Sequence, residues 1–385
     1  MKIAFFSNYL SHHQTPFCER MLELTNGNFR FIACEGFNEG RKSLGYRDMN
    51  LTEYVIRAYE SEEQLKEAER WCTESDVIIY GSTWQRFVNL RRSTGLPTFR
   101  YSERFYKSGV DWHRLPYRTV KNFIKNSNKK NEYMLCASAF TPIDCVRTFE
   151  YIGKCYKWGY FPDAKHYDDI DTLINRKKNN SILWAGRLID WKHPEKAIEL
   201  AKRLKREGYS FSLDIVGNGD MEEELRSKIA DEKLFDCVTL CGSMSPEKVR
   251  EYMEGSEVFL FTSDRNEGWG AVLNESMNSA CAVVASHSIG SVPFMVKDSE
   301  NGFIYKNSDF DDLYKKVKLL LDNPERKREI AKEAYKAVVE QWNASNAAER
   351  FMKLAEAVLA GEKNPDVFSD GVCSKAKILK DEWYR

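Results

Sequence analysis

A chain of 385 residues is too long for one ordinary hydrophobic core and predicts two α/β domains. Its 58 Lys and Arg balance 58 Asp and Glu, which argues against bulk electrostatic binding to nucleic acid. No run of about 18 apolar residues predicts a membrane span, and ten cysteines without a C-x-x-C predict free core thiols in a reducing cytoplasm.

The opening MKIAFFSN reads as a buried first strand rather than a secretory leader, because no small-residue cleavage site follows its apolar run. Thr15-Pro16 then starts a helix with Phe17, Met21 and Leu24 on its inner side. Further strands are predicted at 29–35, 76–82, 97–103 and 132–138. The first strand-to-helix loop holds His12 and His13, either of which can orient or deprotonate a hydroxyl near neutral pH. Glu103, ending the fourth of these strands, is a comparable candidate. Between 104 and 130 eight basic residues face one acid, Asp111, and Pro116 opens a helix with Arg118, Lys121 and Lys125 on one side. Such a basic amphipathic helix can rest on an anionic membrane surface. Aromatics, Gly and Pro break the pattern over 154–171, the predicted linker, so that 1–162 and 163–360 form the two domains. Residues 361–385 form a tail expected to pack back on the first domain.

The second half restarts with strands at 181–187, 211–217, 237–242, 258–263 and 282–286. Helices near 194–207, 220–231, 246–254 and 270–280 separate them, and helices near 309–322, 325–341 and 344–360 close the domain. Alternation of this kind builds parallel sheets, whose ligands sit at the C-terminal strand ends. The strand VFLFTS runs into the loop SDRNEGWG and a helix expected from Gly270. The free N–H groups of Gly270, Ala271 and Val272 suit an anion such as phosphate, and Gly268 and Gly270 remove side chains from a ligand's path. Glu275, about five residues into that helix, lies roughly 8 Å along its axis, near the span from a pyrophosphate to the ribose of one nucleotide. A carboxylate there can accept both ribose hydroxyls, and Glu267 can do the same for a sugar beyond the phosphates. Taken alone, these two glutamates read equally well as solvated surface charges. Arg187 and Lys192 follow another strand and offer a planar fork and a point charge to two phosphates. LDIVGNGD places Gly217 and Gly219 at a third strand end.

GRLIDWK with its GR-x4-K spacing, IVGNGD, E-x7-E from Glu267 to Glu275, and VVASHSIGSVPFMV with NGFIY resemble one family. It is the family-4 retaining glycosyltransferases, whose GT-B fold sets two Rossmann-like parallel-sheet domains across a central cleft. The likeness covers about 180–305 and is weaker over 1–160, where ASAFTPIDC and KWGYFP carry it. It implies that Arg187 and Lys192 neutralise the diphosphate of a UDP- or GDP-linked sugar donor. It further implies that Glu275 holds the ribose and Glu267 the transferred sugar. The backbone of Gly268, Trp269 and Gly270 would approach the phosphates and sugar, and Gly242 would lie near the base. The implied acceptor is a saccharide or lipid-linked hydroxyl in cell-surface polysaccharide synthesis, bound on the first domain. No metal or other cofactor is expected. The implied location is cytoplasmic, peripheral on the inner face of the membrane if 104–130 docks there. Asp169–Asp171 and Asp309–Asp311 imitate a D-x-D metal motif, but their polar contexts predict helix caps or solvated surface. The family's Gly-Gly loop after the first strand is replaced by SNYLSHHQ, and its later histidine by Ser102 and Glu103. Two other readings stay open: a non-catalytic sugar-nucleotide binder, and an NAD-dependent oxidoreductase, for which no G-x-G-x-x-G follows a strand.

Overall fold

The computed structural model describes residues 1–37, 47–107 and 131–384, together with positions 109, 113, 116, 117 and 120. They divide into two compact units, Met1–Asp163 with Trp342–Lys380, and Ala164–Gln341 with Asp381–Arg385.

The first unit is built on seven strands: β1 (Ile3–Ser7), β2 (Phe29–Ala33), β3 (Val55–Arg57), β4 (Val77–Tyr80), β5 (Thr98–Ser102), β6 (Glu132–Cys136) and β7 (Cys155–Lys157). All pair in parallel, in the order β3-β2-β1-β4-β5-β6-β7. IAFFS and VIIY are buried at every position, as strands covered on both faces must be. β3 and β7 were not among the expected strands, and each has only three residues, too few to show a period. β7 falls inside the stretch read as a linker, where the backbone register Met134↔Cys155 and Leu135↔Tyr156 makes it the last strand of the sheet.

The expected domain limits also change. The helix Ala344–Leu359 was assigned to the second domain, yet it packs on Thr15–Leu24 of the first. Phe351 is the reason: its ring meets Phe99, Trp158 and Phe17 at 5.1, 5.9 and 6.3 Å. The tail then divides. Cys373 N–H donates to Lys157 O at 2.8 Å and Ala376 N–H to Cys155 O at 2.9 Å, lining the tail along β7. Beyond it, Trp383 Nε1 donates to His287 O at 3.0 Å, within the second unit.

The second unit carries β8 (Lys178–Ala185), β9 (Ser212–Val216), β10 (Val238–Gly242), β11 (Ser256–Phe261), β12 (Ala282–Ser286) and β13 (Phe303–Tyr305). These too are parallel, ordered β10-β9-β8-β11-β12-β13. β13 is a further three-residue strand beyond the expected five. The helix Glu195–Arg206 turns Ala197, Ile198, Leu200, Ala201 and Leu204 into the core, the spacing its sequence dictates. In both sheets the chain winds outward from a first strand, then returns to that strand's other side, so β1/β4 and β8/β11 are the points where the winding reverses. Connections there leave in opposite directions and open a crevice at the carboxyl ends of the strands. Among the described residues no helix is long and apolar enough to cross a membrane. The basic stretch proposed for membrane contact, 104–130, lies largely outside the described residues.

Candidate functional site

The reversal point of the second sheet gathers most of the expected residues. β8 ends at Ala185, and the following Gly186-Arg187 leads to a short turn, Asp190–Lys192. β11 ends at Phe261, and its loop carries Glu267. The two loops are stitched together by backbone and side chain. Thr262 Oγ1 donates to Lys192 O at 2.7 Å, and Asp264 N–H donates to Trp191 O at 2.9 Å. The Lys192 ammonium forms a tight ion pair with Glu267 Oε2, which also accepts from Ser263 Oγ at 3.2 Å. Arg187 is exposed beside them, its guanidinium 5.9 Å from the Trp191 ring.

The approach to the next helix departs from expectation. Gly270 adopts φ +82°, and a Cβ there would lie 2.3 Å from the Phe261 ring, so the helix cannot include it. Helical structure runs Val272–Asn278 with Ala271 as its cap, two residues later than expected. Glu275 therefore belongs to the first turn instead of lying roughly 8 Å along the axis. The residue is half-buried, and among the described residues its side chain makes no hydrogen bond or ion pair. Burial pushes its pKa up to about 7, while the Arg250 guanidinium pulls the other way. Among the described residues the N–H groups of Gly268, Gly270, Ala271 and Val272 donate no hydrogen bond. Trp269 is fully buried, backbone included, and its Nε1 donates to Asn274 Oδ1 at 2.9 Å, so the expected approach of its backbone to a ligand is not open in this structure.

Gly217 and Gly242 close the neighbouring strands. Gly217 N–H donates to Gly242 O at 2.8 Å, and a Cβ on Gly217 would sit 1.8 Å from Gly186 O. Gly217 thus lets the β9 turn lie flat against the loop bearing Arg187. A Cβ on Gly242 would meet nothing within 4 Å.

Sequence reasoning missed His193, Glu195 and Asp264. His193 Nδ1 lies 3.0 Å from Glu195 Oε1, and Nε2 lies 3.6 Å from Asp264 Oδ2. The signal was present in WKHPE, where a histidine directly follows the phosphate-binding candidate Lys192.

His12, His13 and Glu103 lie in the first unit. A cavity of about 450 Å³ opens at the carboxyl ends of β1, β4 and β5, lined among others by Ser7, His13, Ser82, Tyr101, Glu103 and Tyr160. Glu103 Oε1 accepts from Tyr160 Oη at 2.6 Å, and its other oxygen pairs with Lys107. His13 lines this cavity and His12 does not, although their rings are 3.7 Å apart. The Tyr101 hydroxyl is buried and has no partner among the described residues. The D-x-D look-alikes are occupied otherwise. Asp169 caps the helix Ile170–Arg176 and Asp309 caps Phe310–Asp322, while Asp171 pairs with Lys332 at 2.6 Å and Asp311 pairs with Arg203.

Comparison with known proteins matches residues 168–337 to the family described as Glycosyl transferases group 1. The amylovoran biosynthesis glycosyltransferase AmsK of Erwinia amylovora is 33% identical over 133 residues, 33% of this chain and 32% of that protein. A poly(ribitol-phosphate) alpha-N-acetylglucosaminyltransferase of Staphylococcus aureus is 23% identical over 62% of this chain and 46% of its own length. The chain thus matches from a third to about half the length of such curated relatives. Among solved structures, Anabaena Alr3699/HepE in complex with UDP aligns with a TM-score of 0.68 at 14% identity, over 93% of this chain and 100% of that one. The lipopolysaccharide outer core galactosyltransferase WaaB aligns with a TM-score of 0.67 at 16% identity, over 94% and 100%. The fold is GT-B, and residues 168–337 are a domain of the group 1 glycosyl transferase family.

Proposed function

We propose that the protein transfers a sugar from a UDP-sugar to a hydroxyl of a saccharide or lipid-linked acceptor, with retention at the anomeric carbon, during synthesis of a cell-surface polysaccharide. The observation that carries this reading is the meeting of the Arg187–Lys192 and Glu267–Ala271 loops at the β8/β11 reversal point. AmsK, named for amylovoran biosynthesis, and the UDP held by HepE support the choice of pathway class and nucleotide.

Arg187 and Lys192 take the diphosphate, together with the amides of Gly268, Gly270, Ala271 and Val272. Glu275 accepts the ribose hydroxyls, and Gly242 leaves room for the base. Lys192 is paired with Glu267, so an arriving phosphate exchanges one anion for another at Lys192 and frees Glu267 for the hydroxyls of the donor sugar. As the bond from the sugar's C1 to the diphosphate oxygen lengthens, charge grows on that oxygen and these cations and amides stabilise it. With two side-chain cations and fixed amides at the leaving group, the step needs no divalent ion. The acceptor hydroxyl attacks C1 from the same face, and its proton passes to the departing phosphate oxygen. The first-unit cavity, with His13 and Glu103, takes the acceptor. The catalytic units work in the cytoplasm, at the inner face of the membrane when the acceptor is lipid-linked.

The test is a thermal-shift series with UDP, GDP, NADH and a panel of UDP-sugars, followed by turnover with the stabilising donor. A ligand held at one hundred times its Kd raises stability by about 2.7 kcal/mol. UDP and one UDP-sugar are expected to stabilise the wild type, and Arg187→Ala is expected to lose most of that shift. Stabilisation by NADH alone would refute the reading, and UDP-sugar binding without transfer or hydrolysis would leave a binder in place of an enzyme.

A further inference from the structure

The donor-site reading leaves His193 without a task. The residue follows Lys192 directly and adopts a left-handed backbone, φ 51°, at the end of the Asp190–Lys192 turn. That conformation sends its ring between two carboxylates on different elements. Glu195 begins the helix Glu195–Arg206, and Asp264 lies in the loop after β11. Asp264 is held in place: its Oδ1 accepts from Asn266 N–H at 2.8 Å and from Asn266 Nδ2 at 3.0 Å. The second oxygen of Glu195, Oε2, is buried with no hydrogen-bond partner among the described residues. Lys196 is the nearby cation acting on the ring, but its ammonium is taken by Asn307 O at 2.8 Å and Asn307 Oδ1 at 2.7 Å.

We propose that His193 is a positioning residue of the donor site, an imidazolium that neutralises Glu195 and Asp264 beside the phosphate-binding turn, and that ties the loop of Lys192 to the loop of Glu267. The inference rests on the donor-site reading above. A neutral ring would leave Glu195 and Asp264 as two uncompensated carboxylates flanking the Lys192 turn, where their charge repels a donor phosphate. It would also dissolve the ion pair that joins His193, at the end of the Lys192 turn, to Asp264. The charged form is the resident one, because Asp264 and then Glu195 raise the ring's pKa to about 9 against the opposing effects of burial and Lys196. A raised histidine pKa gives a contribution that is complete below the ordinary value of 6.5 and is lost as pH climbs through about 9.

The experiment is UDP binding by calorimetry from pH 6 to 10 for the wild type, His193→Gln, Asp264→Asn and the double variant. Loss of a charge-assisted contact predicts about tenfold weaker UDP binding for His193→Gln at neutral pH. Wild-type affinity is expected to fall through about pH 9, and the variant is expected to lose that step. Adding Asp264→Asn to His193→Gln removes one uncompensated carboxylate and should recover about threefold of the loss. Histidine NMR gives a second reading that needs no His193 variant: the wild-type ring should titrate near 9, and lower in Asp264→Asn. Unchanged UDP affinity in His193→Gln, a loss that Asp264→Asn does not relieve, or a ring that titrates below 7 would overturn the proposal. Wild-type protein that binds no UDP at any pH would remove the donor-site reading itself, a distinguishable result.

Discussion

Glu275 shows how far chemical type alone can be read and where it stops. A carboxylate eight positions beyond Glu267 is visible in the sequence, as are Arg187 and Lys192, because charged groups just past apolar strands have no packing reason to be there. The protonation state was not visible, since it depends on burial in the first turn of the helix Val272–Asn278. With the pKa raised from 4.5 to about 7, the folded chain keeps a proton that the unfolded chain releases. Stability of the unliganded protein is therefore expected to fall as pH rises across that interval. Ribose hydroxyls bond best to the ionised group, so UDP affinity should rise over the same interval. Glu275→Gln should flatten both trends, and the difference from wild type isolates this carboxyl from titration of the UDP phosphate. Melting curves and calorimetry between pH 5 and 8 check it. Parallel wild-type and variant profiles would remove Glu275 from the donor site. His193 was illegible for a related reason: its two partners come from a helix and a distant loop, and only the fold brings Asp264 to it.

At the level of elements, the strong apolar runs announced themselves, whereas β3, β7 and β13 have three residues each and draw their identity from the strand beside them. The glycines of the turns divide in the same way. Gly217 and Gly242 look alike in the sequence, both at the end of a strand, and both have positive φ, +139° and +72°. Their surroundings differ. A methyl on Gly217 would have to occupy the position of Gly186 O, moving the β8 loop with Arg187 and Lys192 on it, whereas one on Gly242 meets open space. Gly217→Ala is expected to cost about 3 kcal/mol or more, and Gly242→Ala about 1 kcal/mol, from backbone strain alone. Urea unfolding measures both. Gly217→Ala should also weaken UDP binding in proportion to the displaced loop, and equal costs for the two variants would contradict this account of the turn.

For the whole molecule, the two-unit α/β plan was legible from the alternation of runs, but the chain's return to the first unit was not. The helices Pro324–Glu340 and Ala344–Leu359 are separated by only three residues, and both are amphipathic, so a reading along the chain joins them. Their apolar faces select different surfaces. Pro324–Glu340 packs against Val272–Asn278 and β12, while Ala344–Leu359 packs against Thr15–Leu24. Phe351 is fully buried among Phe17, Phe99 and Trp158. Phe351→Ala removes a buried ring and should cost about 3–5 kcal/mol. The site of that loss is the informative part. Hydrogen exchange is expected to accelerate in Thr15–Leu24 and in β5 and β6, where amide protection depends on the ring cluster, and to stay at wild-type rates in β8, β11 and β12. Faster exchange confined to Pro324–Glu340 and β12 would return the last helix to the second unit and undo the division of the chain at Gln341 and Trp342.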